Sequence, residues 1–517
     1  MTESNPYWSS GYITEVNYSA DYQKPLNPLR ARLALLSSGY ACPKVNVACE
    51  LGFGLGLSAN IHAAASITEW YGTDFNPSQA LFARNMASAS GANIKLFDEA
   101  FAEFCNRKDL PDFDFIGLHG IWSWISADNR DLIVDFVRRK LKLGGVLYVS
   151  YNTLPGWSDF VPMRELMMQH FEVMSAKGRG VVSRVEDALN FANRLLTTKP
   201  AIIHDIPSIE GRMERMNKMA PTYLAHEFFN AHWNPMYFAD MVTHLEPAKV
   251  KYVCSSEYMN LLEYLKLTGE QRAFLAEIPD PMFRESVQSF MTNEQFRQDY
   301  WVRGATRLAA PEQARALREE RVILVFDPGD ILPLVIKSKF SEVTVSEEVV
   351  RPLIDLMSDH RARSLGEIAD ALKPKGIGLR ELVGTVVTLI ASQIFAVAQP
   401  EEESALAART SADLNTYLLN RAPFSGEIDH LASPVTGGGV KVPRSQQIFL
   451  NARRLGMDTP AEWARYCFEV MKRPGQQVEK DGKPLESQEE TLAAAMAEAE
   501  KFNEKQLPLL KAQGVVV

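Results

Sequence analysis

The sequence predicts an α/β protein built on a doubly wound parallel sheet. Five short apolar runs, at residues 45–51, 69–75, 93–98, 113–120 and 144–150, alternate with helical stretches, the pattern of successive β-α units. A glycine-rich turn joins the first run to its helix, and an acid closes the second run 24 residues after the acid that closes the first. Those two features place a ligand site at the strand ends of the sheet.

The first run ends Cys49-Glu50-Leu51-Gly52-Phe53-Gly54-Leu55-Gly56, and an apolar helix follows from Leu57. Glycines without Cβ let a ligand approach the backbone, and the helix start offers N–H groups without partners. A dinucleotide fingerprint wants G-x-G-x-x-G; here the third glycine comes one residue early and Leu57 takes its place. Glu50 would repel a pyrophosphate and attract a cation. S-adenosylmethionine, with an ammonium and a sulfonium and no phosphate, fits that sign of charge. The second run, Glu69-Trp70-Tyr71-Gly72-Thr73-Asp74-Phe75, puts Asp74 where the acid of a doubly wound sheet binds ribose hydroxyls, with Phe75 beside it and Asn76-Pro77 opening the next helix.

The third run ends in Asp98. The fourth ends in His119, followed by Trp122 and Trp124, and the fifth runs out through Tyr151 and Asn152. Ligands bind outside the carboxyl ends of such strands, so these side chains are expected at the mouth. The run E-x-G-x-G-x-G resembles motif I of the class I methyltransferases. The segments L-H-G-I-W-S-W-I and Y-V-S-Y-N-T-L-P-G-W, with Tyr223 to Asn230 and Asn234 to Phe238 downstream, resemble bacterial members that carry a methyltransferase regulatory domain. The best-understood of these are rickettsial-type protein-lysine methyltransferases. The resemblance implies a Rossmann-like class I methyltransferase sheet with additional helical and winged-helix-like domains. It implies S-adenosylmethionine as cofactor, held by Glu50, Gly52, Gly54, Gly56, Asp74, Phe75, His119 and Asp98, with Asp98 or the residue after it on the adenine amine.

The rest of the chain divides by composition. Residues 1–157 form the core, opened by a tyrosine-rich segment (Tyr7, Tyr12, Tyr18, Tyr22, Tyr40) that either lies across the site as a lid or packs on the surface. Residues 158–215 are helical, either a dimerisation element, as the resemblance suggests, or a plain cover over the sheet. Residues 216–310 hold the regulatory domain. Residues 250–254 are read there as a returning core strand, because no sixth strand precedes residue 158, and 263–310 are read as helical, with Arg284, Arg297 and Arg303 beside aromatics as on a solvated face. Residues 311–405 show three helices and strands in a winged-helix-like order. The one Arg380 of 379–392 stands beside Glu381, which argues against DNA reading. A linker is expected from 401, and 406–517 are mostly helical, with 473–483 polar and loose.

Composition sets the class. A chain of 517 residues is too long for one core. A net charge of −9 without a basic block makes nucleic acid a poor partner. No run is long enough to insert in a membrane, and residues 1–8 lack a signal pattern. Five scattered cysteines without C-x-x-C speak against disulfides or zinc and for a cytoplasmic setting; no metal is expected.

If the acceptor is a protein lysine, its amine must lose a proton that it holds with a pKa of about 10.4. His119, Trp122, Tyr151 and Asn152 are the expected catalytic residues, and Tyr12, Trp124, His226 and Glu227 are expected to meet the substrate. His119 or the His226–Glu227 pair could take the proton. Three functions compete: a protein-lysine methyltransferase, a methyltransferase of a small molecule or glycan, and a non-catalytic S-adenosylmethionine-binding protein.

Overall fold

The computed structural model describes residues 9, 11–16, 20–337, 342–472, 479–480, 483–484 and 488–516. Tyr7, Tyr18 and most of the stretch read as polar and loose at 473–483 lie outside the described residues.

Strands β1 (Val47–Leu51), β2 (Glu69–Thr73), β3 (Ile94–Phe97), β4 (Phe113–Leu118), β5 (Leu141–Asn152), β6 (Val250–Ser255) and β7 (Phe296–Arg303) form one sheet. Their order is β3-β2-β1-β4-β5-β7-β6. β1 to β5 pair in parallel, and β7 runs antiparallel to both β5 and β6. All six residues of β4 are buried, as a strand covered on both faces requires, which is why it reads as a continuous apolar run. Along β5 the faces alternate. Val146 and Tyr148 join the core under helix α1 (Pro28–Ser37), whereas Leu147, Val149 and Tyr151 join the core of the opposite face with Phe104, Phe136 and Trp301. Contact on the first side is close: a Cβ on Gly117 of β4 would lie 2.3 Å from Leu26 Cδ2.

Three further bodies surround this sheet. The helices between β5 and β6, Val161–Gln169, Val181–Thr197, Ala201–Asp205 and Ser208–Met216, share a core with residues 224–233 and with Trp124, and Tyr12, Ile13 and Val16 pack against it. A three-stranded sheet, Arg363–Ser364 and Phe395–Ala398 flanking Arg321–Leu324, carries helices Glu347–Met357, Leu365–Leu372 and Leu379–Ala391 and extends the core beneath α1. C-terminal helices pack on α2 (Leu57–Ala65) and α3 (Pro77–Ser90), with Leu414, Leu418 and Phe449 joining Leu57, Ile61 and Met86 in one cluster.

Two expectations fail. Residues 263–310 are not helical throughout: after helix Pro281–Thr292 the chain enters β7, which slots between β5 and β6. Arg284, Arg297 and Arg303 made this stretch look solvated; Arg297 has a neighbour in Asp299. In the fold both are buried, Arg297 Nε donating to Asp299 Oδ2 at 2.9 Å, with Glu285 and Glu294 also on the guanidinium. The pairing lets two charges leave water together. The expected linker at 401 is instead the 21-residue helix Glu401–Arg421, opened by three glutamates at its positive end and lying across α2 and α3.

Gly156, where the chain leaves the sheet, has no room for a side chain: a Cβ would stand 2.1 Å from the Glu294 carbonyl oxygen. Gly384, inside helix Leu379–Ala391, has nothing within 4 Å. Gly156→Ala should destabilise by about 1–3 kcal/mol through overpacking, and Gly384→Ala should stabilise by about 0.5–1 kcal/mol through helix propensity. Thermal unfolding of the full chain should move the two midpoints in opposite directions; equal shifts would contradict the packing described.

Candidate active site

The site is built where the strand order reverses, between β1 and β4, the place where open α/β sheets bind ligands. Glu50 stands near the end of β1. Gly52, Gly54 and Gly56 follow at φ 73°, 58° and 71°, a region that L side chains rarely enter. Space demands glycine as well: a Cβ on Gly52 would meet Ile121 Cδ1 at 2.3 Å, and one on Gly56 would meet Ala83 Cβ at 2.5 Å. Gly56 caps α2, so the first turn of that helix opens on the cleft, with Leu55 to Ser58 in its wall.

Asp74 locks this turn to β2. Its Oδ2 accepts from the Gly54 N–H at 2.8 Å and its Oδ1 from the Asn76 N–H at 2.9 Å. Asp21, Glu50, Asp74 and Glu99 all line the cleft, and no lysine or arginine does so among the described residues. Burial, then the neighbouring Asp74, pushes the Glu50 carboxyl up to about 8. Burial pushes Asp74 up to about 6 against the pull of its two N–H donors. Glu50 Oε2 is buried without a hydrogen-bond partner. Phe75 and Phe101 add apolar wall.

At the other end of the cleft, His119 and Trp124 also form wall. Nδ1 of His119 lies 2.7 Å from the Tyr148 hydroxyl, and its ring meets Phe296 edge-on at 6.0 Å. Burial lowers its pKa to about 4, so it is neutral at neutral pH. The Trp124 indole N–H donates to the Glu227 carbonyl at 3.0 Å. Burial raises the Glu227 carboxyl to about 7. The N-terminal segment crosses here. Tyr12 lies in the cleft wall, edge-on to Phe75 at 5.9 Å and 5.6 Å from the His226 ring. Ile13 N–H donates to Asn230 Oδ1 at 2.9 Å, His226 Nε2 to the Val16 carbonyl at 3.0 Å, and Ala231 N–H to the Gly11 carbonyl at 3.0 Å.

Six expected residues do not line the cleft: Asn152, His226 and Glu227 stand outside its wall, and three more point elsewhere. Trp122 is fully buried on the far side of its turn, with its indole N–H toward Met236 Sδ, because residues two apart in the turn Trp122–Trp124 diverge. Tyr151 points to the opposite sheet face, where its hydroxyl donates to Asp299 Oδ2 at 2.8 Å. Asp98 is half-exposed and paired with Arg84 at 2.6 Å, outside the cleft; Glu99 takes its place in the wall. Glu99 is the residue after Asp98 that the sequence reading allowed for, whereas Asp21 and Asn129 escaped it. A visible signal for the last was Ser126, whose hydroxyl caps the Asn129 N–H at 3.2 Å. Among the described residues, no group of three or more His, Cys, Asp or Glu could hold a metal ion, and no helix is long and apolar enough to cross a membrane.

Known proteins share this architecture along nearly the whole chain. Residues 220–303 match the family model described as a predicted methyltransferase regulatory domain; in this fold that segment supplies β6 and β7. The protein sll1526 of Synechocystis sp. is 35% identical over 515 residues, covering 98% of this chain and 99% of its own. RP789 of Rickettsia prowazekii is 25% identical over 310 residues, 57% of this chain and 52% of its own. The structure of PKMT2 from Rickettsia typhi in complex with AdoHcy superposes with a TM-score of 0.66 at 16% identity, covering 94% of this chain and 98% of that one. The chain belongs to one family with sll1526, carries the predicted methyltransferase regulatory domain over residues 220–303, and has the fold of PKMT2.

Proposed function

We propose that the cleft holds S-adenosylmethionine through Glu50, Asp74 and the Gly52–Gly56 turn, and that the enzyme methylates a lysine amine of a protein. The charge of the wall carries this reading: carboxylates line it, no lysine or arginine does so among the described residues, and one buried carboxylate oxygen lacks a partner. Such a wall suits a ligand with an ammonium and a sulfonium and opposes a pyrophosphate. With the cofactor bound, Asp74 would offer its remaining lone pairs to the ribose hydroxyls, Glu99 would hold the adenine amine, and Phe75 and Phe101 would supply apolar wall for the ring. The cofactor supplies a methyl group on a sulfonium; the chain contributes alignment and exclusion of water.

For the acceptor, the support is the character of the surroundings. Trp124 and Tyr12 give an apolar wall suited to an aliphatic stem. Exposed aromatics continue outward, with Phe290 stacked on Tyr237 at 6.0 Å. The AdoHcy complex of PKMT2 and the large bodies outside the sheet point the same way. The helical block 158–215, which exposes Val173 and Met174, suits contact between two copies. The winged-helix-like order of 311–405 suits protein contact. Five unpaired cysteines suit a cytoplasmic setting.

Asp74→Ala should weaken S-adenosylmethionine binding by about 1–3 kcal/mol, the loss of a charged hydrogen bond. Calorimetry should find no binding of NAD to the native protein; undiminished cofactor binding in the variant would contradict the assignment.

The sign of the pH dependence follows from Glu50. Its folded pKa of about 8 is raised above the ordinary carboxylate value, so near pH 7 the empty protein holds a proton that the unfolded chain has released. Stability of the empty protein therefore falls as pH climbs from the usual carboxylate range toward 8. An ammonium beside Glu50 restores ionisation, so binding at pH 7 should release a proton and tighten as pH rises to 8. Calorimetry in buffers of different ionisation heat should detect that proton with the native protein and lose it with Glu50→Gln.

Incubation of the full chain with labelled S-adenosylmethionine and cell lysate should place label on lysine side chains of protein. Label found only on metabolites or polysaccharide would replace the protein acceptor with a small molecule or glycan.

A further inference from the structure

A second cavity lies between β6, β7 and helix Pro281–Thr292, and it shares no residue with the cofactor cleft. It offers about 180 Å³, where a single water needs about 10–15 Å³. Four carboxylates stand in its wall, Glu263, Glu285, Glu294 and Asp299, against two cations, Arg297 and Lys266. Both cations are spent within the wall. Arg297 pairs with Asp299 at 2.9 Å, with Glu285 at 3.0 Å and with Glu294 at 3.3 Å, and Lys266 pairs with Glu294 at 3.2 Å. Asp299 also accepts from the Tyr151 hydroxyl at 2.8 Å. Two negative charges remain in excess. Glu285 meets Arg297 through Oε2 alone, and exposed Glu263 forms no ion pair among the described residues. Gln288 adds an observation of another kind. It is 8% exposed and lines the cavity, yet its side-chain amide has no hydrogen-bond partner among the described residues. A polar group withdrawn from bulk water and left unpaired is costly, unless a ligand pairs with it.

We propose that this cavity binds a short aliphatic diamine in its doubly charged form. One ammonium donates to the free oxygen of Glu285 and to the amide oxygen of Gln288, and the other meets Glu263 at the exposed rim. Val253 and Leu261, also in the wall, suit the carbon stem between them. An aliphatic amine resembles the lysine side chain, which holds its proton with a pKa of about 10.4, so both ends are charged at neutral pH. The charge count selects the dication: it brings the wall to neutrality and leaves Arg297 and Lys266 with the partners they already have. An anion is opposed by the excess of carboxylates. A metal ion is a poor alternative, because no group of three or more His, Cys, Asp or Glu among the described residues could hold one. Apart from Ser38, the wall comes from residues 252–299, inside the segment that matches the regulatory-domain model.

The test is calorimetry on the full chain, with 1,4-diaminobutane as probe and 1,4-butanediol as its uncharged equivalent. The native protein should bind the diamine saturably and the diol not at all. Gln288→Leu should weaken diamine binding about tenfold, the loss of one hydrogen bond to a charged group. Glu263→Gln should weaken it about threefold, the worth of an exposed ion pair. Glu263 is exposed, so its variant leaves the packing intact and keeps the test decisive should Gln288→Leu fail to fold. The cofactor cleft is acidic as well, and the variants separate the two places. Diamine affinity equal in the native protein and in Glu263→Gln puts the diamine outside this cavity and overturns the proposal. Absence of saturable diamine binding, or equal binding of the diol, also overturns it. n-Butylammonium, with one charge, should bind more weakly than the diamine; equal affinity overturns the choice of a dication.

Discussion

A carboxylate at the end of a buried parallel strand loses its water without gaining a partner, and the upper edge of this sheet is organised by that cost. Glu50 cannot turn outward, because β1 is covered on both faces and the next residues are committed to a left-handed glycine turn. Asp74 cannot leave either, since one of its oxygens fastens that turn and the other holds the Asn76 N–H at the start of the next helix. Two acids thus lie close together in low dielectric, each disfavouring the other's charge. Such an edge keeps a proton on Glu50 until a cation takes its place. The rigid turn, the helix packed behind it and the lack of basic side chains among the described residues of the wall all serve that one condition.

The cofactor half was legible in the sequence because its determinants are local. A strand, three glycines and a helix lie within twenty residues, and the acid of the next strand falls at a spacing set by one β-α unit. The acceptor half was less legible because it depends on register and on distant segments. Trp122 and Trp124 look equivalent in sequence, yet one turn sends them to opposite sides of β4 and β5. Tyr151 and Asn152 part in the same way, since a strand alternates its faces. Asp98 lost its place to Glu99 by a single residue at a strand end. β7 was hidden for a different reason: Arg297 and Asp299 are charges that satisfy each other inside the fold, and a hydropathy reading cannot see a pairing. The helix at 401–421 was missed because its alanine-rich surface lacks a strong apolar stripe, its order coming from contact with α2 and α3.

The segment matched as a regulatory domain is also part of the catalytic architecture. Helix Pro221–Phe228 holds Trp124 of the cleft wall through the Glu227 carbonyl, and β6 and β7 complete the sheet whose strand ends carry the cleft. The N-terminal segment is fastened to this same piece through Asn230, His226 and Ala231. Whatever shifts helix Pro221–Phe228 therefore shifts two parts of the cleft wall together, Trp124 and Tyr12.

The position of β7 has a consequence for how the chain is made. β5 ends at Asn152, but its outer neighbour is not complete until Arg303. At ribosomal rates of about 5–20 residues per second, β5 waits on the order of ten seconds with a row of unpaired backbone groups open to any other strand. The helices that follow it, 161–216, are the first material synthesised in that interval, and Trp124, already made, belongs to their core. Their place in the sequence lets them gather beside the open edge while the last strands are still being built, so the order of the genetic message itself guards the nascent sheet against pairing with a second chain.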